Sequence, residues 1–171
     1  MSSASGANSV YAADVDGDGD LDAFVANDGE SDRVWLNDGL GTFTDSGQSL
    51  GGSYSRGPVM GDLDGDGDLD VVVASDGGPT TVWMNDGLGA FADSGQSLGS
   101  GASESVVLGD LDGDGDLDVI VSDRKGPSRG LLWLEHPGRE RVTADWSTHR
   151  IGADGLEVMF LDVGHLDGDR H

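Results

Sequence analysis

Fifteen aspartates stand at alternate positions in three nine-residue stretches. The first holds Asp14, Asp16, Asp18, Asp20 and Asp22. The second holds Asp62, Asp64, Asp66, Asp68 and Asp70, and the third Asp110, Asp112, Asp114, Asp116 and Asp118. Glycines at the fourth and sixth places let so short a loop curl without Cβ clashes. Odd-numbered carboxylates can then converge on one point and offer oxygen ligands to a hard cation. Ca²⁺ accepts six to eight oxygens in flexible geometry, whereas Mg²⁺ demands a tight octahedron and keeps its own waters. Zn²⁺ is disfavoured, because no His or Cys lies in any of the three stretches. The expectation is three Ca²⁺ sites. In the second loop the donors would be the side chains of Asp62, Asp64, Asp66 and Asp70, with the backbone carbonyl of Asp68.

An EF-hand begins in the same way, but its twelfth position needs a bidentate Glu. Here that position holds Val25, Val73 or Val121. A solvated acidic turn is the plainer alternative, and three copies of one ligand pattern argue against it. Without an ion, four or five carboxylates in one loop repel one another. The metal's expected role is therefore structural, since binding to the folded form alone stabilises it by mass action.

The loops recur every 48 residues, and residues 14–61 match residues 62–109 at 30 of 48 positions without gaps. A fixed period of this length marks a repeat of supersecondary units. Each unit carries four short apolar or alternating runs. In the second they are Val59-Met60, Val71 to Ala74, Thr81 to Met84 and Ala90 to Ala92. They are β-branched, aromatic or small, and too short for helices. Turn sequences such as Asp76-Gly77-Gly78-Pro79 and Asn85-Asp86-Gly87-Leu88-Gly89 separate them. Four antiparallel strands per unit of this size describe a propeller blade.

The predicted fold is all-β, with about three blades plus one extra strand. Its segments are a tail over 1–8, blades over 9–54, 55–102 and 103–152, and over 153–171 a first strand with a truncated loop. In that last loop His165 replaces the first carboxylate, so no full metal site is expected there. Trp35, Trp83 and Trp133 are expected at equivalent places on the third strand of each blade, packing between neighbours.

The motif from Gly61 to Val73, followed by Val82-Trp-Met-Asn-Asp-Gly-Leu-Gly-Ala-Phe91, resembles the FG-GAP and VCBS repeat family, including the calcium-binding blades of integrin alpha-chain propellers. That resemblance implies a β-propeller with Ca²⁺ between the first two strands of a blade. It also implies a ring of six to eight blades. Three blades cannot close a ring, so either the chain is a piece of a longer propeller or copies associate, a homodimer by two-fold symmetry or another self-association completing the ring.

Composition limits the partners. The formal net charge is −24, and three Ca²⁺ ions bring it to −24 + 6 = −18. An acidic surface repels nucleic acid and anionic membranes. There is no cysteine, which excludes disulfides and thiolate metal sites. No stretch is apolar for long enough to span a bilayer. Met1-Ser-Ser-Ala-Ser-Gly6 has neither the basic nor the apolar region of a secretory signal. Calcium-dependent loops suit an extracellular or periplasmic setting.

The expected function is a non-catalytic calcium-binding repeat module, a scaffold for protein or carbohydrate binding and adhesion. One alternative is a fragment of a propeller-borne polysaccharide or sugar lyase or dehydratase. Its acid–base candidates are His136, His149, His165, His171, Glu135 and Glu157, each outside the repeat pattern. Another is a purely structural duplicated repeat.

Overall fold

The computed structural model describes residues 6–52, 54–99, 102–124 and 129–152. Its twelve strands form three four-stranded antiparallel sheets, each a meander in chain order. The first sheet contains β1 (Gly6–Ala13), β2 (Asp22–Asp28), β3 (Arg33–Asn37) and β4 (Phe43–Asp45). The second contains β5 (Ser55–Gly61), β6 (Asp70–Ser75), β7 (Thr80–Asn85) and β8 (Phe91–Leu98). The third contains β9 (Ser103–Gly109), β10 (Asp118–Asp123), β11 (Gly130–Glu135) and β12 (Ser147–Gly152), with one short 3₁₀ turn at Arg139–Arg141. The described residues thus form propeller-like blades that do not close a ring. β1 begins at Gly6, inside the segment expected to be a tail, because Gly6 and Ala7 pair with Asp28 and Asn27. The expected strand over 156–163 and the loop after it lie outside the described residues.

Strand alternation gives each sheet two faces, and neighbouring sheets share a core. Phe24 and Val34 of the first blade pack with Val71 and Val73 of the second, and Trp83 joins them from the rim. Val72, Ala74 and Val82 on the opposite face pack with Val119, Val121, Leu132 and Leu134 of the third blade. Complete burial of a Val or Leu is worth about 1.5–3 kcal/mol relative to exposure. These two seams are therefore the main hold between sheets. Phe24 and Phe91 meet edge to face at 6.0 Å in the first seam.

Trp133 does not occupy the place of the other two tryptophans. Trp35 pairs with Ala23 and Trp83 with Val71, the residue after the loop's last aspartate in each blade. The equivalent Val119 pairs with Leu134, and Trp133 pairs with Ile120. The longer connection before β11 shifts the strand by one residue, and a one-residue shift moves a side chain to the other face. Leu134 fills the seam, while Trp133 lies on the face turned away from the second blade and stacks with His149 at 4.4 Å. Trp83 packs between blades as expected, while Trp35, on the corresponding face of the first blade, is 36% exposed.

Polar contacts stitch the seams at repeat-related positions. Gln48 donates to the carbonyl of Gly89 and accepts from the N–H of Phe91, and Gln96, 48 residues later, donates to the carbonyl of Ala144. At the ends of the first and second strands away from the acidic loops, Arg56 lies near Asp28, Asp76 and Glu104, and Arg124 pairs with Asp76 and Glu104. Positions 28, 76 and 124 are repeat equivalents, as are 56 and 104, so changes of charge at matching places tie one blade to the next.

Asp32 latches the first seam. Its buried carboxylate accepts from the Asn27 N–H at 2.9 Å and from the Ser55 hydroxyl, across the seam, at 2.8 Å. Burial pushes its pKa up to about 6 against the pull of both donors. A raised folded-state value means the folded protein holds this proton more tightly than the unfolded chain. Its contribution is fully present below the unfolded carboxylate range and is lost as pH rises through about 6. Urea unfolding of the wild type and of Asp32→Asn should show the wild type losing ground relative to the variant between about pH 4 and pH 7. A difference that ignores pH contradicts this.

Candidate metal centre

Each acidic loop joins the first and second strands of its blade. In all three loops the fourth and sixth residues have positive φ: 76° and 95° at Gly17 and Gly19, 82° and 97° at Gly65 and Gly67, and 84° and 92° at Gly113 and Gly115. Only glycine adopts such values at little cost, so the two glycines make the curl. The carboxylates then organise their own loop. Asp14 accepts from the N–H groups of Gly17 and Gly19 at 2.8 and 3.0 Å, and Asp110 accepts from Gly113 and Gly115 at 2.7 and 3.2 Å. Asp62 accepts from Gly65 at 2.6 Å.

The curl gathers the first, third and fifth carboxylates. Asp14, Asp16 and Asp18 present oxygens within 4.8 Å of one another, as do Asp62, Asp64 and Asp66, and Asp110, Asp112 and Asp114. Each triad is an all-oxygen, all-anionic donor set, the chemistry a hard divalent cation requires. Partial desolvation, with repulsion from neighbouring carboxylates, pushes the middle carboxyl of each triad above its ordinary range, at Asp16, Asp64 and Asp112. A bound cation relieves that cost, so the residues fit a divalent metal.

The seventh and ninth aspartates stand outside the triads. Asp20 and Asp68 pack against the turn after the third strand, where a Cβ on Gly39 or Gly87 would collide with the carboxylate. Asp116 accepts instead from Arg139 Nε at 2.7 Å. The ninth carboxylate is a buried staple. Asp22 accepts from Val15 N and Asn37 N at 3.0 and 2.8 Å, Asp70 from Leu63 N and Asn85 N at 2.9 Å each, and Asp118 from Leu111 N and His136 N at 3.1 and 2.8 Å. Each ties the start of its loop to the end of its third strand. Burial pushes the Asp70 carboxyl up to about 6 in spite of those donors.

The staple is not readable from a count of carboxylates, because all five look alike in sequence. One sign is available: the ninth aspartate opens the second strand, on the alternation that faces inward. The residues seated above it are Asn37, Asn85 and His136, one at the end of each third strand.

Among the acid–base candidates, Glu135 and His149 form an exposed pair at 2.6 Å. His136 is buried beside Trp146 at 4.5 Å, accepts from the Gly138 N–H, and has its pKa lowered by burial. His165, His171 and Glu157 lie outside the described residues.

Comparison with known proteins agrees with this architecture. The model of the FG-GAP-like repeat family matches twice, over residues 14–73 and 62–121. Each match runs from one acidic loop through the next loop and its following strand. No curated protein is similar enough to match the chain. The two family matches together span residues 14–121, more than half of the sequence, and the chain belongs to the FG-GAP-like repeat family.

Proposed function

We propose that this chain is a calcium-stabilised, propeller-like repeat module that works as a non-catalytic scaffold for protein or carbohydrate ligands in an extracellular or periplasmic setting. One observation carries the calcium part: the same three carboxylates converge at the same place in each of three blades. Ca²⁺ is preferred over Mg²⁺ because a curled loop of carboxylates and carbonyls suits flexible coordination at higher ligand number. The ion neutralises the triad and holds the first two strands of each blade in register.

The scaffold part rests on the surface that the sheets leave exposed, some of it shared between blades and some particular to one. Leu40 and Leu88 stand exposed at the matching turns of the first two blades, and blade-specific groups such as Trp133, Glu135 and His149 give the third its own surface. Titration calorimetry tests the reading. Calcium should bind at three ions per chain, one for each triad, and magnesium should compete weakly.

A further inference from the structure

The turn after the third strand of each later blade touches two acidic loops. Asn85 makes this plain. Its main-chain N–H donates to Asp70 Oδ1 of its own blade's loop at 2.9 Å. Its side-chain Nδ2 donates to the carbonyl of Val15, in the preceding blade's loop, at 2.8 Å. Both bonds are buried. The same turn also lies close to that first loop at two further places. A Cβ on Gly89 would meet the Asp16 Cβ at 3.4 Å, and one on Gly17 would meet the Gly87 carbonyl at 3.6 Å.

The third blade repeats the arrangement with different chemistry. His136 N donates to Asp118 Oδ1, and Arg139 donates to Asp116 Oδ1 and to the Gly115 carbonyl, all in its own loop. The Arg139 stem meanwhile lies against the second loop, so close that a Cβ on Gly65 would sit 2.5 Å from its Cδ. In the first blade the same seat belongs to Asn37. Its N–H holds Asp22, but its Nδ2 turns back to the Leu21 carbonyl at 3.1 Å, within the same blade.

We infer that these turns couple neighbouring metal loops, through Asn85 between the first and second and through Arg139 between the second and third. This rests on the calcium reading. An ion that orders the first loop fixes the Val15 carbonyl, which seats the Asn85 side chain and with it the turn that closes the second loop on Asp70. The second ion then has less backbone to order. Such coupling is reciprocal between sites. The second loop, touched by both turns, is the hub. Asn85 and Arg139 lie outside the carboxylate triads and act as positioning residues.

Calcium titration of the full chain followed by amide NMR tests this. Gly17 and Gly19, Gly65 and Gly67, and Gly113 and Gly115 report the three loops separately. In the wild type the three pairs should move together along a sigmoidal curve. In Asn85→Ala the first loop should separate from the second, its midpoint rising about five-fold or more. Asn37→Ala, which loses a contact within one blade only, should leave the first and second loops moving together. A second measurement leaves Asn85 intact: Asp14→Asn with Asp16→Asn should raise the second loop's midpoint by about five-fold or more. Independent hyperbolic curves in the wild type, with that midpoint unmoved, overturn the coupling and leave the calcium reading standing. Calcium that shifts none of the six glycines defeats both.

Discussion

Chelating calcium with EDTA is expected to lower the midpoint of heat-induced unfolding by about 15–30 °C. The estimate follows from linkage. An ion that binds only the folded form at a hundred times its dissociation constant adds about 2.7 kcal/mol per site, so three sites add roughly 8 kcal/mol. For a chain of this size each kcal/mol moves the midpoint by about 2–4 °C. The structural reason is the crowding of Asp14, Asp16 and Asp18, and of their counterparts, within 4.8 Å. Unneutralised, those charges oppose the curl that joins the first and second strands of every blade. Scanning calorimetry in millimolar calcium and in excess EDTA measures the shift, and coincident midpoints contradict it.

Asp70→Ala is expected to cost about 3–5 kcal/mol, and to do so even in EDTA. The Asp70 side chain is buried and accepts from Leu63 N and Asn85 N. Removing it strands two buried N–H groups, each worth about 1–3 kcal/mol when left unpaired. It also releases Asn85, whose side chain holds the neighbouring loop. Asp66→Ala is the contrasting variant. Its carboxylate is exposed and belongs to the triad, and it accepts one exposed bond from Asp68 N. Its loss should therefore appear in calcium and largely vanish in EDTA. Urea unfolding of both variants in both buffers separates a staple from a ligand. If Asp70→Ala loses under about 1 kcal/mol in EDTA, the staple assignment fails.

Much of this was legible in the sequence because its causes are local. The glycines at the fourth and sixth loop positions announce a curl, and the β-branched runs with their turn residues announce four strands per unit. The alternation of aspartates announces an oxygen-ligand site. What escaped depends on contacts distant in the chain. Trp133 looks like the counterpart of Trp83, yet a longer connection shifts β11 by one residue and gives that seat to Leu134. The ninth aspartate of each loop reads as one more carboxylate among five, and only inward alternation on the second strand places it beneath two backbone donors. Asn85 reads as a turn residue, but its partner Val15 lies 70 positions away. The charges at positions 28, 56, 76, 104 and 124 acquire a shared meaning only once the first two strands of neighbouring blades lie side by side.

The central claim is that each blade carries its own calcium ion in its carboxylate triad, and counting bound ions tests it most directly. Titration calorimetry should give three calcium ions per chain for the wild type, one for each triad. It should give one fewer for the chain carrying Asp62→Asn, Asp64→Asn and Asp66→Asn together. No uptake by the wild type, or the same count after the second triad is neutralised, contradicts the account.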